Sequence, residues 1–265
     1  MSVRTSKFAI RSANALIGLL LPLALLAVWQ YATSRGLVNA VLIPPPRAIW
    51  EALTDMARSG ELGSNLWISA KRATLGFLLG GGLGLAAGLW VGFSLKAERL
   101  LDPSIQLLRT LPHLAVAPLF ILWFGFDETS KVLLIAKAAF FPLYVNTFLG
   151  VRSVNNELFD VARVLEFTRA QTIARLVLPA SLPSVFLGMR LSIGVSWLAL
   201  VVAELMGSSS GIGYIINDAR SFSLTAVIFV GILVFAAVGK LTDSIVRLAE
   251  SRLLRWQDNR QGGGA

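Results

Sequence analysis

Five ionisable side chains fall within long apolar runs: Arg109, His113, Lys137, Arg190 and Glu204. A charge in hydrocarbon is costly, so each is a candidate for steering or holding another charge. Lys137, Glu204 and His113 are the candidates for lining a pathway. Bond-making chemistry has little to build on. The chain has no Cys and one His. That removes disulfides, thiolate metal sites and Cys nucleophiles, and one imidazole alone makes no metal site. No apolar run holds a pair of carboxylates for acid–base work. A GxxxxGK[ST] phosphate loop is missing, so the chain itself holds no ATP. The residue types point to passage and docking rather than catalysis.

The elements that must carry these residues are membrane helices. Of 265 residues, 55% are hydrophobic and 15% charged, yet the formal net charge is +9. An apolar chain with basic loops reads as an integral membrane protein. Nucleic-acid binding is the weaker reading, because Lys and Arg are scattered between apolar runs with no basic stripe beside aromatics. Hydropathy predicts six spans, at roughly residues 14–33, 74–94, 104–124, 130–150, 184–206 and 225–246, each near the length that crosses a bilayer. The first is read as a retained anchor, longer than a signal-peptide core and without a clean small-x-small cleavage site. Arg4, Lys7 and Arg11 precede it; Lys96 and Arg99 lie between the second and third spans. Arg152, Arg163, Arg169 and Arg175 lie between the fourth and fifth, and Arg247, Arg252, Arg255 and Arg260 follow the sixth. All fall on one side if the spans alternate. The positive-inside rule makes that side cytoplasmic, with both termini there.

Residues 34–73 fall outside on this reading, although they carry Arg35, Arg47, Arg58, Lys71 and Arg72. The stretch "IPPPRAIWEALTDMARSG" predicts a proline-started amphipathic helix with Ile49, Trp50, Leu53 and Met56–Ala57 on one face. It suits the membrane surface or a plain linker. Gly76, Gly80, Gly84 and Gly88 recur every four residues, a spacing that lets two helices approach closely. Pro112, Pro118 and Pro142 fall inside spans and predict kinks.

A polar segment, "DVARVLEFTRAQTIARLVLPASLP", interrupts the apolar pattern at Asp160–Pro183. Asp160, Arg163, Glu166 and Arg169 alternate in sign on one helix face. Val161, Val164 and Leu165 make the other. Thr168 with Gln171 three residues later is a capping-box signature for a second helix, which Pro179 and Pro183 are expected to end. Two short amphipathic helices on the cytoplasmic side suit a docking surface for a soluble partner or a pair lying on lipid headgroups.

This segment resembles the coupling-helix motif of permease subunits in binding-protein-dependent ABC importers: Glu-Ala-Ala, three residues, Gly, nine residues, Ile-x-Leu-Pro. Here it reads Asp160-Val161-Ala162, then Glu166, then Leu176-Val177-Leu178-Pro179. Asp160 replaces Glu and Glu166 replaces Gly; only Gly takes a positive φ freely. The turn therefore either shifts to Phe167–Thr168 or is strained. The likeness extends through "LLDPSIQLLRTLPHLAVAPLFILWFGFDETSK" and "SSSGIGYIINDAR", and is nearest to permeases for aliphatic sulfonates in a group with taurine, nitrate and bicarbonate relatives. It implies an all-α membrane protein of the type I importer permease fold, about six transmembrane helices with a cytoplasmic coupling insert. One permease domain, 1–265, would divide into an anchor 14–33, an external amphipathic linker 34–73, core helices 74–246 with the insert 155–180, and a cytoplasmic tail 247–265.

The resemblance also implies partners: a second copy of the permease, two ATPase subunits that hold the ATP and Mg, an external or periplasmic solute-binding protein, and membrane lipid, but no nucleic acid. The setting would be the bacterial inner membrane. ATPase coupling would fall to Asp160, Val161, Ala162, Arg163, Leu165, Glu166, Phe167, Thr168, Leu176, Leu178 and Pro179. Lys137, facing the pathway, would attract an anionic headgroup such as a sulfonate; alternatively it pairs with Glu204 or reaches outward. Arg109 and Arg190 are expected to reach for the cytoplasmic interface, and His113 to be a hydrogen-bonded packing residue. A self-contained, ion-gradient-driven carrier or channel is the alternative; Glu204 is its only strong proton-coupling candidate, and the insert is unexplained by it.

Overall fold

The computed structural model describes residues 20–254. The start of the anchor with Arg4, Lys7 and Arg11, and the end of the tail with Arg255 and Arg260, lie outside the described residues. The helices are α1 (Leu20–Ser34), α2 (Pro46–Arg58), α3 (Glu61–Phe93), α4 (Leu95–Arg109), α5 (His113–Phe124) and α6 (Glu128–Arg152). They continue with α7 (Asn156–Val164), α8 (Arg169–Thr172), a π-helical turn (Ile173–Val177), α9 (Leu178–Gly207), α10 (Ile212–Ser221) and α11 (Thr225–Leu253). Among the described residues, four helices are long and apolar enough to cross a membrane, and α4 with α5 makes a fifth candidate bent by 97°.

The chain divides into two compact units, one of residues up to Gly63 with Ile215–Ile232, the other of Ser64–Tyr214 with the residues from Leu233. In the first, α2 starts on prolines and buries Ile49 and Met56 while Trp50 is exposed. The Trp29 and Phe229 rings lie 5.5 Å apart, and the Thr225 hydroxyl donates to the Val41 carbonyl at 2.5 Å.

The second unit is built on α6. Ile135, Ala138, Ala139 and Tyr144 are fully buried. Ser192 of α9 donates to the Ala139 carbonyl at 2.5 Å. Phe140, Tyr144 and Phe148 stack at i, i+4 spacing with centroids 5.7 and 6.2 Å apart. The glycine stripe of α3 lies on this helix. A Cβ at Gly80 would sit on the Ala136 backbone, one at Gly84 on the Phe140 carbonyl, and one at Gly88 would lie 2.7 Å from the Tyr144 carbonyl. The two backbones touch because no side chain stands between them.

Three expectations change. Residues 61–73, read as linker, are the first turns of α3, whose 33 residues span roughly 50 Å. The hydropathy window missed them because they are polar, while nothing in them breaks a helix. The third span is not one kinked helix. The chain turns at Thr110–Pro112, with Pro112 as the cap of α5; Pro118 and Pro142 lie inside continuous helices. Pro179 and Pro183 do not stop the chain either. Pro179 follows the π-helical turn, where the Leu178 N–H already reaches back five residues to Ile173, so its missing N–H falls where the ladder is shifted.

Gly80→Leu should therefore cost about 1–3 kcal/mol by overpacking, whereas Gly82→Leu, with nothing within 4 Å of its added Cβ, should change stability by less than about 0.5 kcal/mol. Thermal unfolding of the two purified variants checks this.

Candidate functional site

Chain direction gives the second unit two ends. Glu128 opens α6 and Arg152 closes it. At the Arg152 end, Arg152 pairs with Glu98 of α4, and the polar segment follows. Asn155 caps α7 by accepting from the Glu157 N–H. Asp160 and Arg163 pair at 2.9 Å in the open. Ala162 is buried, while Val161, Val164 and Leu165 are exposed at 52%, 82% and 58%. An apolar ridge therefore stands on a charged helix, bare.

The turn after α7 is a Schellman motif. Phe167 N–H donates to the Ala162 carbonyl at 2.9 Å and Glu166 N–H to the Arg163 carbonyl at 3.0 Å. Its left-handed residue is Glu166, at φ 52°. The turn has not shifted: Glu stands where glycine is unstrained. Thr168 and Gln171 then form the capping box reciprocally, at 2.8 and 3.3 Å. The Arg175 guanidinium lies 5.9 Å over the Phe167 ring. Leu176 and Pro179 are half-buried and Leu178 is exposed. A cavity of about 440 Å³ lies under the insert, lined by Phe93, Arg152, Phe159, Phe167 and Arg169 among others.

At the Glu128 end a buried cation organises three helices and a loop. Arg72 of α3 uses all five of its N–H donors. It bonds Glu128 at 2.7 and 2.5 Å, Glu204 at 2.8 Å, and the carbonyl and hydroxyl of Ser210 at 2.7 and 3.1 Å. Glu204, 1% exposed, also accepts from Ser69 at 2.8 Å and from the Gly213 N–H at 2.8 Å. Ser69 in turn accepts the Ile212 N–H at 2.9 Å, and Asn65 the Gly211 N–H at 2.7 Å. Gly211 has φ 105°, and a Cβ there would run into the Glu204 carboxylate. The loop before α10 is thus pinned by polar bonds on every side.

The pathway candidates separate in this structure. Glu204 is enclosed in the Arg72 cluster and does not pair with Lys137. The Lys137 ammonium donates to the Leu111 carbonyl at 3.1 Å and sits 5.9 Å over the Phe141 ring. His113 is not the hydrogen-bonded residue expected: its Nδ1 is buried without a partner. Arg190 does not reach for the interface alone, but pairs with Asp243 at 3.2 Å and Glu250 at 3.6 Å. The Arg72 cluster escaped the sequence reading because Arg72 was placed in a linker. Its signal was an Arg just before the second predicted span and a Glu just inside the end of the fifth, which fall on the same side if the spans alternate.

Arg72→Met should cost about 3–5 kcal/mol, because Glu204 then stays buried without its cation. Arg72→Met with Glu204→Leu should recover most of that in thermal unfolding. At the other end, Glu166→Gly should preserve the turn. Glu166→Val, β-branched at positive φ, should strain it by about 1–3 kcal/mol and raise proteolysis at 163–169.

Comparison with known proteins follows the same lines. Residues 80–255 match the family described as binding-protein-dependent transport system inner membrane component. The chain is 59% identical over 245 residues to the putative aliphatic sulfonates transport permease protein SsuC of Bacillus subtilis, covering 92% of this chain and 89% of that one. It is 35% identical over 237 residues to the taurine transport system permease protein TauC of Escherichia coli, covering 88% and 86%. The fold is shared with a crystal structure of an amino acid ABC transporter, at TM-score 0.59 and 18% identity, covering 78% of this chain and 97% of that one. A separate subunit hydrolyses ATP in this family, and a binding protein brings the cargo. The chain belongs to the multi-pass inner-membrane components of binding-protein-dependent transport systems, the permeases of ABC importers.

Proposed function

We propose that two copies of this chain form the pathway of an ATP-driven bacterial importer for small organic anions, aliphatic sulfonates foremost. The observation that carries the substrate is the 59% identity, over 92% of the chain, to a permease named for aliphatic sulfonates. Taurine, itself an aminoalkanesulfonate, is named for the permease at 35% identity.

The insert 155–180 is the docking handle for one of two ATPase subunits, which hold ATP and Mg. The bare ridge of Val161, Val164 and Leu165 supports this, since an apolar strip on a polar helix needs a cover. Asp160, Arg163 and Thr168 edge it with polar groups, and Ala162 and Phe167 anchor it. Leu176, Leu178 and Pro179 join it through the π-helical turn to α9, so a push on the insert travels along one helical rod. Closure of the ATPase dimer draws the two inserts together and opens the pathway outward; hydrolysis resets it. The Arg152 end and both termini are cytoplasmic, as the basic residues there favour. The Glu128 end meets the solute-binding protein. The whole chain serves as one permease domain.

Reconstituted in proteoliposomes with its ATPase and binding protein, the permease should take up labelled ethanesulfonate only when ATP is present inside the compartment that the ATPase faces. Collapse of ion gradients should leave that uptake unchanged. Uptake that survives ATP removal and dies with the gradient would mean a self-contained carrier.

A further inference from the structure

We propose that the break between α4 and α5 is an anion station within the pathway, where the head group of an alkanesulfonate rests among Arg109, His113 and Lys137 while its carbon chain lies on an apolar wall. This rests on the sulfonate reading above and adds the residues that meet the cargo.

A cavity of about 360 Å³ lies at the break, within the roughly 300–1,000 Å³ usual for small-molecule sites. Its polar lining is Arg109, His113 and Asn146; Phe141, Leu191 and Val195 contribute to the apolar side. Lys137 does not line the cavity itself, but its ammonium lies 5.9 Å over the ring of Phe141, which does, and bonds Leu111 in the break. The lining is therefore cationic at one part and aliphatic or aromatic at another, the division found in an alkanesulfonate.

Depth agrees with a pathway site. Lys137 comes nine residues after Glu128, the first residue of α6, or roughly 14 Å along a helix. That is about half of a 30 Å hydrocarbon layer. Irregular backbone at that depth is tolerated where it lines a cavity, and the positive N-terminal end of a half-helix favours an anion beside it. His113 is the first residue of α5 and lines this cavity.

The charges have no other answer. Arg72, Arg152 and Arg190 each reach a carboxylate. Among the described residues, Arg109 pairs with no carboxylate, and Lys137 meets only the Leu111 carbonyl and the Phe141 ring. The His113 Nδ1 is buried without a hydrogen-bond partner. Arg109 is exposed and Lys137 half-buried in the single chain; within a bilayer such unpaired cations are costly, and an anion held by them relieves that cost. Lys137 also has a plain structural use, since it satisfies a carbonyl freed by the break. Arg109 has no such bond to lose, so it is the sharper test.

The test is uptake by the complete importer in proteoliposomes, with labelled ethanesulfonate and, separately, labelled nitrate. Arg109→Gln and Lys137→Gln should each lower ethanesulfonate uptake about tenfold, the equivalent of roughly 1.4 kcal/mol. Arg109→Lys and Lys137→Arg should keep most of it, and all four complexes should assemble with wild-type thermal stability. Unchanged uptake in Arg109→Gln overturns the station. So does equal loss in the charge-preserving variants, or loss that tracks lowered stability, since either marks a structural role. A wild-type complex that carries nitrate but not ethanesulfonate sinks the sulfonate reading, and the same variants then judge the station with nitrate. If the wild type carries neither anion, both ideas fall.

Discussion

No water reaches the hydrocarbon layer to satisfy a stray polar group, so each backbone break and charge there is costly until a protein group or a bound ligand answers it. That constraint explains the most unusual features of the fold. The glycine face of α3 lets its backbone lie against α6, where helices gain from packing rather than from escaping water. The break before Pro112 frees carbonyls, and Lys137 supplies a donor to one at Leu111. Arg72, buried between α3, α6 and α9, spends all five donors on two glutamates and Ser210. Arg72 and the Leu111 carbonyl are thus each held by a specific partner, whereas the His113 Nδ1 is buried without one.

The same constraint divides the molecule by task. At the Glu128 end, charges are neutralised and locked into a loop. At the Arg152 end, polar helices carry an apolar ridge that nothing among the described residues covers. Between them lies a cavity whose cations have no carboxylate among the described residues. The rod from Arg169 to Gly207, continuous through the π-helical turn, runs from the polar segment to Glu204 near its far end.

Much of this was legible in the sequence. Hydropathy located the four long helices and the broken one, although it counted six spans where the described residues hold four and a bent pair; glycine spacing gave the close helix contact, and Thr168 with Gln171 the capping box. The motif spacing around Glu166 placed the turn after α7, and the structure shows the departure from glycine met by strain at φ 52°. What hydropathy could not show depends on three-dimensional partners. A polar helical start to α3 looks like a linker in a sliding window. Two prolines look like a stop, unless a π-helical turn absorbs the first. Which anion each cation meets is set by helix packing, so Glu204 joined Arg72 rather than Lys137. Arg109 could not be told from a residue reaching for water until the break placed it at a cavity.

The central claim is that the exposed ridge after α6 carries the force of ATP hydrolysis into the membrane. The chain has no cysteine, so Val164→Cys makes a single-thiol variant without other changes. A short thiol–amine cross-linker should then join it to the ATPase subunit in native membranes, while Leu122→Cys, exposed at 77% on apolar α5, should join none. Val164→Cys that captures no ATPase while uptake remains ATP-driven would contradict the claim.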